Sequence, residues 1–525
     1  MSGMFETKSD KASRKLERTK KDEKEKRKSR IIAISVITVL ILISAVAIII
    51  NSNFVRRTLP VYTIDGVNFS TTEFEFFFYS ELMEYNNMMS QFQGMGIDLP
   101  DPNRLLSRQV RDQETGETWA DFITQMALAR MASIVSLHNA AMAAGFELSD
   151  EQIEEIDEEI TMVGYQAMFN GFPTTDSLLQ QMFGNSINES TYRSILEFTM
   201  TAGAYGEFVR DSFSYSSGEL AGFYMENRDI LDVFAYRVLR INPDELNYAD
   251  FESDEAYDEA LETAIADAHE RAADIITGGI SSEEDFIATA REEYGHDDDW
   301  TTEVHYRMGE HLDATFKDWL LDESRNEGDI AAFDNDTGST ILYFVSRNDN
   351  NYRTTGMRQI LITRELVDPD EFPFGEIDPG YIEALERAET EARQRADIVN
   401  NLFIEAGRTE DALIRLMADH SDDNTPGGEY TDISKYSYQS SYFRAMKVVP
   451  EIEEWLFDES RVVGDSQLIS TSDFGYHLVY FTGLGAPFFE LIADDRMRTR
   501  DHTEWLGGLT EGEPVRHAAF ILVHI

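Results

Sequence analysis

A single histidine on a predicted strand is the residue of this chain whose surroundings point most directly to chemistry. The segment Gly475 to Phe481 alternates in character, so one face of the strand carries Tyr476, Leu478 and Tyr480 and the other carries His477, Val479 and Phe481. His477 therefore projects from a sheet beside apolar neighbours. A lone strand histidine is more typical of a structural role, so the surrounding sequence has to decide its function.

Other catalytic patterns are missing from the sequence. The chain has no cysteine, which excludes a thiol nucleophile, a disulfide framework, a cysteine zinc site and a lipid-modified cysteine anchor. Its 10 histidines show no paired ligand spacing, and neither a His-Glu-x-x-His motif nor a Gly-rich phosphate loop occurs. A Gly-x-Ser-x-Gly nucleophile elbow is also missing. We therefore expect no metal and no cofactor.

The elements that must position His477 lie in the stretch 448–482. A helix from Pro450 to Asp458 is predicted by the proline in its first turn, followed by Gly464-Asp465, a strand, a turn at Ser472-Asp473 and the histidine strand. This order resembles the C-terminal half of a parvulin, or PpiC-type, peptidyl-prolyl isomerase. The resemblance extends back to a strand at 357–362 and to a segment at 418–428, and covers about a quarter of the chain.

The resemblance implies a set of catalytic residues. Parvulins combine an apolar proline pocket with a network of two histidines and a Cys or Asp. His477 takes the place of the strand histidine, Asp423 takes the Cys/Asp position, and Gln359 stands where the family has its other histidine. Glutamine still donates and accepts hydrogen bonds, but it does not titrate. Asp422 and Asp419 lie nearby, and any of the three aspartates could instead cap a turn.

The same resemblance implies the substrate pocket. Val448 and Ile452 fall where the family places Met and Phe, and Tyr430 falls at a Leu position. Phe474, in the Phe-Gly-Tyr-His motif, completes the predicted substrate-binding set. The pocket stays apolar but loses an aromatic wall at Ile452.

A second copy of the motif lies upstream. The segment 316–325 followed by Gly328-Asp329 repeats 452–461 followed by Gly464-Asp465, which is the kind of self-similarity that indicates a repeated unit. The positions that match 474–477 are Thr337-Gly338-Ser339-Thr340. Because the histidine is replaced, this copy is predicted to be a degenerate parvulin-like unit.

The N-terminal region predicts a membrane anchor. Residues 1–30 form a basic tail, and Ile31 to Ile50 is an uncharged apolar run of the length that spans a bilayer. Positive charge before the run and scarce lysine after it predict a single-pass protein of the cell membrane, with a cytoplasmic N-terminus and an extracytoplasmic bulk.

The predicted fold class is α+β. The anchor and the chain that follows it are predicted to form five segments. They are the anchor at 31–50, a mostly helical module at 58–230, the degenerate parvulin-like unit at 231–348, a second parvulin-like unit at 355–483, and a C-terminal segment at 487–525 that returns to the helical module. Each parvulin-like unit is predicted to be an antiparallel sheet flanked by helices. The hairpin at Asp65-Gly66 and the capping box Ser70 to Glu73 resemble the start of SurA- and PrsA-type foldases.

Charge limits the choice of partners. Asp and Glu number 98 against 45 Lys and Arg, which gives a net charge of −53. Such a surface repels nucleic acid, so we expect no nucleic-acid partner. Solubility and adaptation to a salty or alkaline exterior explain the acidity equally well, and a homodimer is left open.

The predicted function is that of a membrane-anchored extracytoplasmic foldase that binds unfolded exported proteins and catalyses isomerisation of X-Pro bonds. The main alternative is a non-catalytic chaperone that uses both parvulin-like units for binding or spacing. The segment 162–183, with glycines among Met and Phe residues, is either ordinary helix core or an adaptable groove for apolar segments. A sensor ectodomain is a third and weaker interpretation.

Overall fold

The structure is a computed structural model that describes residues 28, 30, 34–44, 53–90, 99–294, 303–436, 448–509 and 511–517. These residues fall into two compact units. The helical unit comprises the chain up to Phe213 together with the chain from Arg500, and the sheet unit comprises Ser214–Thr499. The described chain is a mixed α/β protein with three antiparallel sheets.

The prediction of a transmembrane helix at Ile31 to Ile50 is wrong, and so is the single-pass localisation derived from it. Among the described residues, no helix combines the length and the apolar character needed to cross a bilayer. Residues 28, 30 and 34–44 are helical. Residues 31–33 and 45–50, and most of the basic tail, lie outside the described residues.

The helices and strands are numbered in chain order. The helices are α1 (Asn53–Thr58), α2 (Thr71–Ser90), α3 (Trp119–Ala144), α4 (Asp150–Phe169), α5 (Thr175–Phe183), α6 (Glu189–Ser212), α7 (Ser217–Glu226), α8 (Arg228–Leu231), α9 (Asp254–Thr277), α10 (Glu283–Tyr294), α11 (Lys317–Leu321), α12 (Pro379–Glu405), α13 (Glu410–His420), α14 (Pro450–Leu456) and α15 (Phe488–Gly508). The strands are β1 (Pro60–Ile64), β2 (Val67–Ser70), β3 (Val233–Ile241), β4 (His305–Met308), β5 (Ile330–Asn335), β6 (Gly338–Asn348), β7 (Arg353–Thr363), β8 (Glu429–Ile433), β9 (Ser466–Thr471), β10 (Gly475–Pro487) and β11 (Val515–Arg516).

Local sequence explains the start of the helical unit. The β1–β2 turn lies at Asp65 and Gly66, which both have positive φ. The predicted capping box is confirmed, because the Ser70 amide donates to the Glu73 carboxylate and the Glu73 amide donates to the Ser70 hydroxyl. Helix α3 ends at Gly145, in the left-handed conformation that glycine adopts without steric cost. The C-terminal strand β11 pairs antiparallel with β1.

The sheet unit contains two sheets of the same topology. We call β3 to β6 with their helices the first repeat (Val233–Asn348), and β7 to β10 with theirs the second repeat (Arg353–Pro487). Their strand orders are β4-β3-β6-β5 and β8-β7-β10-β9. The predicted two-sided character of the histidine strand is confirmed, since Tyr476, Leu478 and Tyr480 pack against α12 and α13 residues while Val479 and Phe481 pack against α14.

Each repeat contains the same set of arginine contacts, one with a tryptophan ring and two with aspartates, which we call the arginine clasp. Arg461 lies over the Trp455 ring at 4.1 Å and pairs with Asp458 and Asp465, both at 3.5 Å. In the first repeat, Arg325 lies over Trp319 at 4.5 Å and makes the corresponding pairs with Asp322 and Asp329. The motif that repeats in the sequence is therefore a structural element that ties the short helix to the following strand.

Candidate functional site

A small cavity of about 160 Å³ opens in the second repeat, between β7, β8, β10 and α14. It is lined by Met357, Gln359, Leu361, Asp423, Tyr430, Val448, Val449, Ile452, Phe474 and His477. All seven residues that the sequence singled out as catalytic or substrate-binding line this cavity. The structure thus brings together residues that are up to 118 positions apart in the chain.

The strand register explains why Gln359 and His477 meet. In the β7–β10 ladder, His477 lies opposite Leu361 and Val479 lies opposite Gln359. Cross-strand partners share a face of the sheet, so Gln359 and His477 are diagonal neighbours on the face that lines the cavity. Because side chains alternate along a strand, a shift of one residue in either strand would separate them.

A chain of hydrogen bonds connects the polar residues on the cavity floor. The amide nitrogen of Gln359 donates to Asp423 Oδ2 at 2.8 Å, and Gln359 Oε1 lies 2.8 Å from His477 Nδ1. A carboxylate only accepts hydrogen bonds, so the amide NH₂ must face Asp423 and the amide oxygen must face the imidazole. Gln359 is therefore oriented by Asp423 and in turn orients His477.

The network assigns the tautomer of His477. Since Gln359 Oε1 can only accept, Nδ1 of His477 carries the proton and Nε2 is left as an acceptor. The Thr471 hydroxyl, which lies 3.2 Å from Nε2 and 3.3 Å from the Gly475 carbonyl oxygen, has one proton to donate to either of them. Burial lowers the pKa of His477 to about 4, although the negative charges of Asp423 and Glu451 oppose that shift. With only 4% of its surface exposed, this imidazole is neutral at physiological pH.

Asp423 is held in the ionised form. Burial acts to raise its pKa, but hydrogen bonds from the Thr425 amide, Gln359 and Tyr430 outweigh burial and hold the pKa below its usual value. Its neighbour Asp422 points elsewhere, accepting from the Thr363 amide and pairing with Arg395 at 3.0 Å.

The structure places one of the three neighbouring aspartates, Asp419, Asp422 and Asp423, at the cavity. Asp419 is exposed on α13 and is not among the residues that line the cavity. Asp423, which the resemblance placed at the Cys/Asp position, lies on the cavity floor.

Tyr430 contributes more than the apolar wall that its sequence position suggested. Its hydroxyl donates to Asp423 Oδ2 at 2.8 Å and lies 3.1 Å from the Gln359 amide nitrogen. The Thr425 hydroxyl is also 3.1 Å from it. Burial, followed by the bond to Asp423, raises the pKa of Tyr430, so the phenol remains a neutral donor.

The remaining walls are apolar. Val448, just before α14, and Ile452, on α14, are buried and pack against Met357 of β7. Phe474 lies at the mouth with 45% of its surface exposed, and its ring centre is 6.4 Å from that of His477 in an edge-on arrangement. The cavity is smaller than the roughly 300 Å³ of typical small-molecule sites, so it suits one ring or side chain rather than a whole ligand.

Some residues of the site were not anticipated. Met357 and Leu361 could have been found, because they lie two positions from Gln359 on the same face of β7. Thr471 carries no such signal; it reaches His477 only because β9 pairs with β10, with Thr471 opposite Gly475. Thr425 lies two residues after Asp423 in an irregular loop. In such a loop, spacing in the sequence does not predict which way a side chain points.

Comparison with known proteins yields no family assignment. No protein-family model matches the chain, and no curated protein matches it. Among solved structures, the chain is similar to the crystal structure of PrsA from Bacillus subtilis, with 11% sequence identity and a TM-score of 0.16. That alignment covers 61% of this chain and 96% of the other. A TM-score this low does not establish a shared fold, so the proposals below rest on the residues of this chain.

Proposed function

We propose that the second repeat is a peptidyl-prolyl cis-trans isomerase and that the protein acts as a foldase on unfolded polypeptides. The observation that supports this most directly is the Asp423–Gln359–His477 network at the floor of a cavity with apolar walls. The parvulin-like order of motifs in the sequence points to the same activity. Gln359 in place of a histidine leaves the connection between Asp423 and His477 intact.

The reaction requires no covalent step. Rotation about an X-Pro bond has a barrier of about 18–20 kcal/mol because the amide loses its conjugation in the twisted state. A catalyst must bind that twisted state more tightly than either planar isomer. In this proposal Met357, Val448 and Ile452 hold the proline ring, and neutral His477 is the polar group beside the rotating amide.

Gln359 and Asp423 are proposed as positioning residues. The charge of Asp423 fixes the amide of Gln359, and that amide fixes the imidazole of His477 in one tautomer and orientation. Preorganised dipoles of this kind stabilise a transition state without reorganising during the reaction. Because none of the three groups changes its charge between pH 6 and pH 8 in this arrangement, activity should be nearly constant over that range.

A binding role without catalysis is the second candidate, and an exposed apolar surface on α4 favours it. Met162, Tyr165, Met168 and Phe169 are each more than half exposed, and Phe169 reaches 92%. Adaptable Met and aromatic side chains at a surface are typical of sites that accept varied apolar segments. This surface lies in the helical unit, so client binding there is independent of the cavity.

The test is a proline-isomerisation assay on the whole chain beside two matched variants, Asp423→Asn and Asp422→Asn, together with His477→Ala. We expect His477→Ala and Asp423→Asn to lower kcat/KM about tenfold to a hundredfold, because each removes a preorganised polar group. Asp422→Asn makes the same chemical change one residue away and should leave the rate within about twofold.

The outcomes separate the two candidates. A folded parent that does not accelerate isomerisation for any of several residues before proline, yet suppresses aggregation of an unfolded protein, would exclude the isomerase and leave the chaperone. Equal losses in the two Asp→Asn variants would indicate a general effect of charge and not the proposed network.

A further inference from the structure

Helix α4 of the helical unit presents apolar side chains on the face opposite the one that it buries. The buried face packs against α5 and α6 through Ile156, Ile160, Val163 and Ala167. On the opposite face, Met162, Tyr165 and Phe169 follow one another at spacings of three and four, so their side chains are neighbours. Each of the three is more than half exposed. This face therefore adds nothing to the core of the unit and is accessible to a partner.

The same face is acidic toward the start of the helix. Glu151, Glu154 and Glu158 precede Met162 at spacings of three and four, and all three are exposed. Within the described residues their carboxylates have no ion pair, and α4 itself contains no lysine or arginine. We call this face the α4 stripe, and its residues are Glu151, Glu154, Glu158, Met162, Tyr165 and Phe169. Its acidic half and its apolar half each extend over about 10 Å.

The charges of the acidic half repel one another. Carboxylates three or four positions apart lie side by side on a helix, and like charges at this spacing destabilise it. Glu151, in the first turn, interacts favourably with the positive end of the helix dipole, whereas Glu154 and Glu158 lie beyond the turn in which that interaction acts. A cationic group bound beside Glu154 and Glu158 relieves the repulsion, so the acidic half favours a basic partner.

The two halves together specify the chemistry of the partner. Met and aromatic side chains adapt to varied apolar groups, and carboxylates attract lysine and arginine. A second copy of this chain is a poor partner, because it carries the same net charge of −53 and brings a further set of carboxylates to the contact. An unfolded polypeptide segment with apolar residues beside basic ones is complementary to both halves.

We propose that the α4 stripe binds extended segments of unfolded polypeptides in which apolar residues lie next to a short run of Lys or Arg. An extended chain rises about 3.3 Å per residue, so about three residues lie along each half of the stripe. The apolar half binds the apolar residues, and the acidic half selects among apolar segments by their charge. Such binding rests on the client binding proposed above for the helical unit, and it is independent of isomerisation in the second repeat.

The test is a titration of dye-labelled peptides with the whole chain, followed by fluorescence anisotropy. One peptide has a Phe-Leu-Phe core followed by three lysines, a second has the same core followed by three glutamates, and a third has Ser-Gly-Ser before three lysines. We expect saturable binding of the first peptide, about tenfold tighter than binding of either other peptide. Raising sodium chloride from about 0.05 M to about 0.5 M should narrow the difference between the first two peptides, because salt screens exposed charges.

Two double variants locate the binding on α4. Tyr165→Ser with Phe169→Ser should weaken binding of the first peptide about tenfold, because it removes most of the apolar surface of the stripe. Glu154→Gln with Glu158→Gln should weaken binding of the first peptide about fivefold and tighten binding of the glutamate peptide, because each amide keeps the size of the carboxylate and removes its charge.

Matched controls make the same changes elsewhere in the chain. Glu255→Gln with Glu259→Gln removes two exposed carboxylates at the same spacing from α9. Ile398→Ser with Leu402→Ser removes two exposed apolar side chains at the same spacing from α12. Both should leave the affinity for the first peptide within about twofold, because binding energy is concentrated in residues at the contact. Circular dichroism and thermal unfolding establish that each variant is folded.

The outcomes separate the α4 stripe from client binding in general. Equal weakening by the Glu→Gln pairs on α4 and α9 would show attraction to the net charge of the chain and would overturn the proposal. If the α4 variants bind as the parent does while the parent suppresses aggregation of an unfolded protein, client binding stands but lies elsewhere. A parent that neither binds the peptides nor suppresses aggregation lacks client binding altogether. A dimer in light scattering that Tyr165→Ser with Phe169→Ser dissociates would make a second copy the occupant and would also overturn the proposal.

Discussion

The strand order β4-β3-β6-β5 of the first repeat recurs as β8-β7-β10-β9 in the second, and the two repeats share their supporting contacts. Gly328 donates its amide proton to the Phe344 carbonyl at 2.9 Å, and Gly464 donates to the Phe481 carbonyl at 3.0 Å. An arginine–glutamate pair also recurs, with Arg237–Glu283 at 2.7 Å and Arg358–Glu410 at 2.6 Å.

The cavity-facing positions differ between the repeats. Arg240 and Thr340 stand at the register of Leu361 and His477, and Val238 stands at that of Gln359. The cavity of the second repeat is small and contains a neutral imidazole and a carboxylate, and a cavity in the first repeat is larger and has Arg240 and Arg307 in its lining. Contacts that close the sheet are therefore retained in both repeats, whereas residues that only face the cavity are free to take on different chemistry.

The largest effect is expected from the glycine that begins the last long strand of each repeat. Gly475 and Gly338 have φ of 123° and 130°, and a Cβ there would lie 2.5 Å from the Ile362 carbonyl oxygen or 2.3 Å from the Ile241 carbonyl oxygen. Gly475→Ala and Gly338→Ala should each destabilise the protein by more than about 3 kcal/mol, because backbone strain and a clash add together. Denaturant unfolding measures the loss, and hydrogen exchange locates it in β10 or β6.

Gly407→Ala is the control for those variants. Gly407 also has positive φ, 91°, but a Cβ added there would meet nothing within 4 Å. It should cost about 1 kcal/mol from backbone strain alone. If only one of Gly475→Ala and Gly338→Ala were severely destabilising, the two repeats would not be equivalent at this contact.

The next largest effect is a loss of stability at low pH that we expect from His477. Thr340 occupies the equivalent position in the first repeat. Above pH 6.5, the ordinary pKa, this imidazole is neutral in both the folded and the unfolded chain. As the pH falls from 6.5 to about 4, the unfolded chain takes up a proton that the folded chain does not, so stability is lost across that window. The loss should approach about 3 kcal/mol.

Comparing the pH dependence of unfolding for the parent and His477→Gln isolates this group, because every other histidine is common to both proteins. The variant should lose less stability between pH 6.5 and pH 4. Identical slopes in the two proteins would mean that His477 is not buried as a neutral group.

The smallest effect should come from the arginine clasps. Arg461→Ala and Arg325→Ala each remove a cation–π contact and two ion pairs from a side chain that is about four-fifths buried. We expect each to cost about 1–2 kcal/mol, with Arg→Lys intermediate because lysine cannot form the planar fork. Thermal unfolding is the measurement. A loss in one repeat more than twice that in the other would show that the clasps are not equivalent.

Much of the scaffold could be predicted from local sequence. The alternation of 475–481, the capping box at Ser70, the glycine that ends α3 and the repeated 452–461 motif all follow from periodicity and short-range hydrogen bonding, which act within a few residues. The apolar run at the N-terminus predicted a membrane span, which no helix of the described residues provides.

The chemistry of the cavities was set by contacts between distant residues. The sequence left open whether Asp423 only caps a turn, as Asp419 and Asp422 also could. In the structure, the loop after α13 brings Asp423 to Gln359, whereas Asp422 pairs with Arg395. Tyr430 was predicted as an apolar wall, and its hydroxyl joined the polar network only because β8 pairs with β7.

The sequence by itself determined the two faces of the histidine strand and the repeated motif, because these depend on side-chain pattern and local backbone preference. The tertiary structure decided which side chains meet, since strand register and loop direction are set by long-range packing. That is why the neutral, hydrogen-bonded His477 and the cavity around Arg240 became visible only in three dimensions.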